Sequence, residues 1–189
     1  MNIFPNTVSF IFLTCWIGVV PVQAQPTAAV LSSVTPSLPD TLRTDQIKEE
    51  NGFTVVRSTG APFTGTVADG YESWAKKLRR SVVDGLPEGL WMEWYENGVP
   101  RYQATWRRGR GEGLWTYYHE NGEIRERVTV TGDVYDGLAE GWHASGAKAF
   151  EGHYRNGNKD GRWRRWDERG LLATVKVYRD GTVLHVEKV

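Results

Sequence analysis

Short runs of aromatic and β-branched residues alternate along this chain with polar, glycine-bearing pairs, and the alternation has a fixed period. The stretch Gly89-Leu90-Trp91-Met92-Glu93-Trp94-Tyr95-Glu96-Asn97-Gly98 returns 24 residues later as Gly113-Leu114-Trp115-Thr116-Tyr117-Tyr118-His119-Glu120-Asn121-Gly122. Further shifts give Gly137-Leu138-Ala139-Glu140-Gly141-Trp142-His143-Ala144-Ser145-Gly146 and Gly161-Arg162-Trp163-Arg164-Arg165-Trp166-Asp167-Glu168-Arg169-Gly170, without insertions. Self-similarity at such a period marks a repeat array, in which each unit is one supersecondary element that cannot bury its face alone.

Each unit carries two turn signals. One falls at Asn97-Gly98, Asn121-Gly122, Ser145-Gly146 and Arg169-Gly170. The other closes Val82-Val83-Asp84-Gly85, Trp106-Arg107-Arg108-Gly109, Tyr154-Arg155-Asn156-Gly157 and Tyr178-Arg179-Asp180-Gly181, and in the third unit its order is swapped to Gly132-Asp133. Asn-Gly between strand-forming runs is the strongest short hairpin signal, because both residues tolerate positive φ. Each unit therefore predicts one antiparallel hairpin, over 62–85, 86–109, 110–133, 134–157 and 158–181. The expected fold is all-β, an elongated single-layer antiparallel sheet of five tandem hairpins. Its repeat-defining positions are Gly89, Trp91, Gly98, Gly113, Trp115, Gly122, Gly137, Gly146, Gly161, Trp163 and Gly170. The first unit is degenerate: Gly65 is in register, Trp74 stands where the turn glycine belongs, and Lys76-Lys77-Leu78-Arg79-Arg80 is strongly basic. Terminal repeats are often atypical because they cover an end.

The flanks read differently. Residues 46–61 lead into the array through a strand at Phe53–Val56, and 182–189 form a closing strand whose terminal charges blunt an edge. Residues 25–45, rich in Pro, Ser, Thr and Ala, are expected to be a flexible linker. Residues 8–20 are an apolar run too short for a comfortable membrane span, followed by Pro21-Val22-Gln23-Ala24 with small residues where a signal peptidase inspects the chain. The expectation is a signal peptide over 1–24, cleaved near Ala24, and a secreted or periplasmic protein. An uncleaved anchor is the alternative, since the first seven residues carry no Lys or Arg. The single cysteine, Cys15, lies inside that segment, so the mature chain is expected to have none, which suits an oxidising compartment.

Residues two apart on a strand share a face. Stacking the units therefore aligns Trp91, Trp115, Ala139 and Trp163 in one row and Trp94, Tyr118, Trp142 and Trp166 in another. The first row reads as core, because a one-layer sheet must cover its own surface with large side chains from neighbouring hairpins. The second is the candidate binding strip for a protein or a sugar chain, given the preference of binding hot spots for Trp and Tyr. Arg162, Arg164 and Arg165 are the centre of a candidate patch for anionic lipid or acidic envelope polymer, set against a plainer reading as solvated cross-strand pairs.

Charge narrows the partners. The chain has 23 basic and 23 acidic residues, which argues against nucleic acid as a partner. No nucleophile elbow, phosphate loop or His-Glu-x-x-His is present, and carboxylates are nowhere paired in a pocket-forming pattern. No enzyme, cofactor or metal is expected. His119 and His143 are equivalent positions, but equivalent strands lie about 10 Å apart, too far for one ion held at ~2.1 Å by each ring.

The pattern Gly-x-Trp-x-x-Trp/Tyr-x-x-x-Gly, with Tyr-x-x-Gly eight residues later, resembles the MORN-repeat variant of bacterial proteins labelled YwqK-like antitoxins. The opening Thr59-Gly60-Ala61-Pro62-Phe63-Thr64-Gly65-Thr66-Val67 is similar to the start of that family's array. The resemblance covers residues 59–181 and implies stacked hairpins that serve as a binding or scaffolding surface without an active site. The partner expected is another protein, with an envelope glycan or anionic lipid as the alternative.

Overall fold

The computed structural model describes residues 40–70 and 76–187, all within the compact unit Pro39–Val189. The expected signal peptide, linker residues 25–39, Trp74 and the last two positions of the closing strand lie outside the described residues. The chain runs β1 (Thr41–Leu42), a 3-10 turn (Thr44–Gln46), β2 (Ile47–Glu50), β3 (Phe53–Val56), β4 (Gly65–Gly70), β5 (Lys76–Val83), β6 (Leu86–Pro87) and β7 (Gly89–Trp94). It continues through β8 (Pro100–Arg107), β9 (Arg110–Tyr118), β10 (Ile124–Thr131), β11 (Val134–Trp142), β12 (Lys148–Arg155), β13 (Asn158–Trp166), β14 (Leu172–Arg179) and β15 (Thr182–Glu187). From β7 to β15 every strand pairs with its sequence neighbour, giving a meander in a 13-stranded sheet. The sheet is antiparallel except where β1 pairs parallel to β4.

The register explains the repeat signature. The opening glycine of a unit sits directly across the hairpin from the residue that begins its second turn signal: Gly89 faces Trp106, Gly113 faces Val130, Gly137 faces Tyr154 and Gly161 faces Tyr178. A large side chain thus lies opposite a position without one, the pairing by which aromatics protect strand glycines. Gly113 and Gly161 have open space around a would-be Cβ but φ of +80° and +71°, so backbone conformation rather than crowding selects glycine there.

The two turn signals build two different turns. At Arg108-Gly109, Asn156-Gly157 and Asp180-Gly181 both residues have positive φ, near 49° and 80°, the pattern of a two-residue type I′ turn. The swapped Gly132-Asp133 works because Asp tolerates the second left-handed position, at φ 73°. The Asn-Gly sites depart from expectation. At Asn97-Gly98 only Gly98 has positive φ, Gly98 N–H donates to Tyr95 O at 3.0 Å, and Tyr95 N–H donates to Val99 O at 2.8 Å. This is the three-residue loop, a type I turn closed by a left-handed glycine, and it recurs at His119–Glu123, His143–Ala147 and Asp167–Leu171. Each such loop leaves a register shift beside it, as between Glu93 and Trp94 or Arg165 and Trp166.

The N-terminal end corrects the linker boundary. Thr41 and Leu42, expected in the flexible stretch, pair with Thr66 and Val67, and Leu42 is buried with Ile47, Val56, Phe63, Val67 and Val82. The physical reason is nonlocal: the parallel pairing of β1 with β4 brings Leu42 into the cluster with Phe63 and Val67. The lead-in is also a hairpin rather than one strand, β2 pairing with β3 through Asn51-Gly52. Thr54 N–H donates to Gly85 O and Gly85 N–H to Phe63 O, tying it to the array.

A second core runs along one face of the array, where Ala104, Trp115, Val128, Val130, Ala139 and Trp163 are buried. Rings reach from strand to strand: Trp91 to Trp106 at 4.7 Å, Trp106 to Trp115 at 5.4 Å, and Tyr154 to Trp163 at 5.0 Å between centroids. The indole N–H groups repeat a bond as well, Trp91, Trp115 and Trp163 donating to the carbonyls of Ser81, Thr105 and His153, each ten residues earlier.

Candidate binding faces of the sheet

Strand alternation sorts the side chains into an aromatic face and an opposite face. Trp91, Trp115, Ala139 and Trp163 lie on the first. Trp94, Tyr118, Trp142 and Trp166 lie near the three-residue loops, all half-buried. Trp142 belongs to the opposite face: Arg127 and Lys148 stand 5.7 and 5.8 Å from its ring centroid, and Lys148 bonds Glu140 and Glu151 there. Lys76 stands 5.7 Å from the Trp94 ring.

This strip is held by a ladder of bonds between successive units. Tyr95 Oη donates to Tyr118 O at 2.8 Å, His119 Nε2 meets Trp142 O at 2.9 Å, and His143 Nε2 meets Trp166 O at 3.0 Å. A carbonyl only accepts, so Nε2 carries the proton in both histidines. Asn97 and Asn121 add a second rung, their side-chain amides donating to Glu120 O and Ala144 O. The two histidines are therefore half-buried braces between hairpins. Among the described residues, no three His, Cys, Asp or Glu side chains converge as a metal would require.

The arginine patch is divided by the fold. Arg162 and Arg164 lie on the opposite face, where Arg162 pairs with Glu187 at 2.5 Å and Arg164 with Glu151 at 2.8 Å. Arg165 falls on the aromatic face, in register with Phe150 and Thr174. The three are near neighbours in sequence, but a strand sends successive residues to opposite sides, so they do not form one site.

The aromatic face is dry enough to move ionisation. Burial above all pushes the Tyr102, Tyr117 and Tyr135 hydroxyls up, and Tyr154 is pushed up to about 12 by burial and then by Glu126. Glu126 itself is raised by burial, against the pull of Arg125 and Lys159. These hydroxyls stay neutral donors at neutral pH.

Three glycines absent from the repeat signature shape this face. A Cβ at Gly111 would meet the Trp115 ring at 2.4 Å, at Gly141 the Phe150 ring at 2.0 Å, and at Gly152 the Trp163 ring at 2.2 Å. Each leaves the space into which an aromatic ring lies flat against the sheet. Only the strand pairing reveals them, because they do not repeat at a common position.

The MORN repeat variant family matches residues 87–107 and 111–130, two consecutive hairpins comprising β7–β8 and most of β9–β10. No curated protein matches the chain. MORN repeats are non-catalytic modules that generally bind proteins or membranes. That class agrees with a half-buried, braced aromatic strip on a one-layer sheet.

Proposed function

We propose that this is an exported, non-enzymatic scaffolding protein that holds a protein partner along Trp94, Tyr118, Trp142 and Trp166, in an immunity-like or assembly role in the cell envelope. The observation that carries this reading is the ladder from Tyr95, His119 and His143 to the carbonyls of Tyr118, Trp142 and Trp166. It fixes the backbone beneath the strip, so binding there loses little conformational freedom. Export rests on the apolar run 8–20 and the small residues before Gln25.

A glycan or anionic envelope polymer fits the strip less well. Sugar rings stack on open indole faces, whereas Lys76 approaches Trp94 and both Arg127 and Lys148 approach Trp142. The arginines offered to a lipid surface at Arg162 and Arg164 already hold carboxylates.

The test is a crosslinked pull-down from the cell envelope with the wild-type protein and with Trp142→Ala and Trp166→Ala variants shown to be folded by circular dichroism. One protein enriched by the parent and lost by both variants is the expected result. Retention of both variants on that protein would take the strip out of the interface. Salt-sensitive retention on isolated envelope polymer or anionic vesicles, with no protein enriched, would move the function to the alternative partner class.

A further inference from the structure

The two faces satisfy their charges in different ways. On the opposite face, carboxylates are at hand even beside a ring: Lys148, which stands over Trp142, meets Glu140 and Glu151, Arg164 meets Glu151, and Arg162 meets Glu187. On the aromatic face at β13 and β14 the cations meet rings. Lys159 Nζ stands 4.3 Å from the Trp163 centroid and 5.5 Å from that of Tyr178. Lys176 is the direct cross-strand partner of Trp163, so both project to the same side, and Arg165 follows Trp163 by two residues on that side. None of the ion pairs among the described residues includes Lys159 or Lys176.

The crowding has an electrostatic signature. Lys159 is held below the ordinary lysine range, first by burial and then by repulsion from Arg165 and Lys176, while Glu126 alone pulls the other way. An anion placed among these cations gains from all of them and relieves their repulsion. The chain's own N-terminal segment cannot supply it, because residues 1–39 contain no Asp or Glu.

We infer that Lys159, Arg165 and Lys176, over the ring floor of Trp163 and Tyr178, form a docking site for an acidic peptide segment of a partner protein, distinct from the strip on the opposite face. A carboxylate-bearing segment can reach cations set among rings and lay an apolar side chain on Phe150 or Tyr178. A flat bilayer touches only the outermost atoms and gains from many cations spread over an area. Here the cations are few, Glu126 lies among them, and the chain as a whole is neutral.

The test uses the full chain and a fluorescein-labelled peptide alternating Glu and Tyr, followed by fluorescence polarisation at low and high salt. A peptide with Gln in place of Glu and phosphatidylserine-containing vesicles are run beside it. Binding of the acidic peptide is expected to weaken with salt and to fall about tenfold or more in Lys176→Gln and in Arg165→Gln, either of which suffices if the other fails to fold. Arg162→Gln and Trp142→Ala, on the opposite face, are expected to leave it unchanged, so loss of the strip's partner and loss of this site are separable. Absence of peptide binding, equal binding of the Gln peptide, equal affinity in both folded cation variants, or binding of vesicles alone would each overturn the assignment.

Discussion

Trp115 and Leu114 are neighbours on β9, yet Trp115 is 2% exposed and Leu114 is 54% exposed. Both are large and apolar; what separates them is the face each occupies. Equivalent positions in successive units lie two strands apart, about 10 Å. On the aromatic face the intervening strand supplies rings such as Trp106 and Tyr154, and Gly111 and Gly152 give the Trp115 and Trp163 rings room to lie flat, so neighbours cover one another. On the opposite face Thr105 lies between Leu90 and Leu114, Thr129 between Leu114 and Leu138, and His153 beyond Leu138; these are too small or too polar to cover the leucines, which stay exposed. In a one-layer sheet burial follows from reach across strands more than from hydrophobicity.

The sharpest break of this comparison is a matched pair of truncations. Trp115→Ala is expected to cost about 3–5 kcal/mol, as for a buried tryptophan, whereas Leu114→Ala on the same strand changes stability by about 0.5 kcal/mol or less. Urea denaturation of both variants checks it, and similar costs would dissolve the distinction between faces.

A smaller effect probes how the rings are seated. Gly152→Ala places a methyl 2.2 Å from the Trp163 ring, which is itself held between Phe150 and Tyr154. The expected loss is about 1–3 kcal/mol from overpacking, read as a lowered midpoint with an unchanged denaturant slope. A neutral outcome would mean that the ring can move aside without loss.

The smallest effect is a titration. Burial raises the Glu126 pKa above its ordinary value of 4.5, so the folded state holds this proton more tightly than the unfolded state does. The carboxyl is then harmless below about pH 4.5 and becomes a penalty as pH rises through the raised pKa. Glu126→Gln is expected to raise Tm at neutral pH and to match the parent at acid pH. A variant less stable at neutral pH would show instead that Arg125 and Lys159 outweigh the burial.

Much of the fold was readable in the sequence because its cause is local. The period, the hairpins and the turn sites follow from glycines that must take positive φ and from the aromatics that face them, as Gly137 faces Tyr154. The site was less readable. Trp142 could be assigned to a row, but its cations Arg127 and Lys148 come from two other strands, across a register shift beside the loop. Sequence adjacency groups Arg165 with Arg162 and Arg164, whereas strand alternation sends it to the aromatic face.

The sequence by itself determined what a repeated backbone demands: where the chain turns, which residues pair across each hairpin, and that large rings must shield a sheet lacking a second layer. The tertiary structure decided what depends on distant partners. It placed Leu42 in the first core through a parallel pairing no local pattern announces, left Gly152 bare for the Trp163 ring, and set Lys159 over rings while Arg164 met a carboxylate. Turn preferences act within a few residues, whereas burial and charge pairing depend on which strands lie side by side.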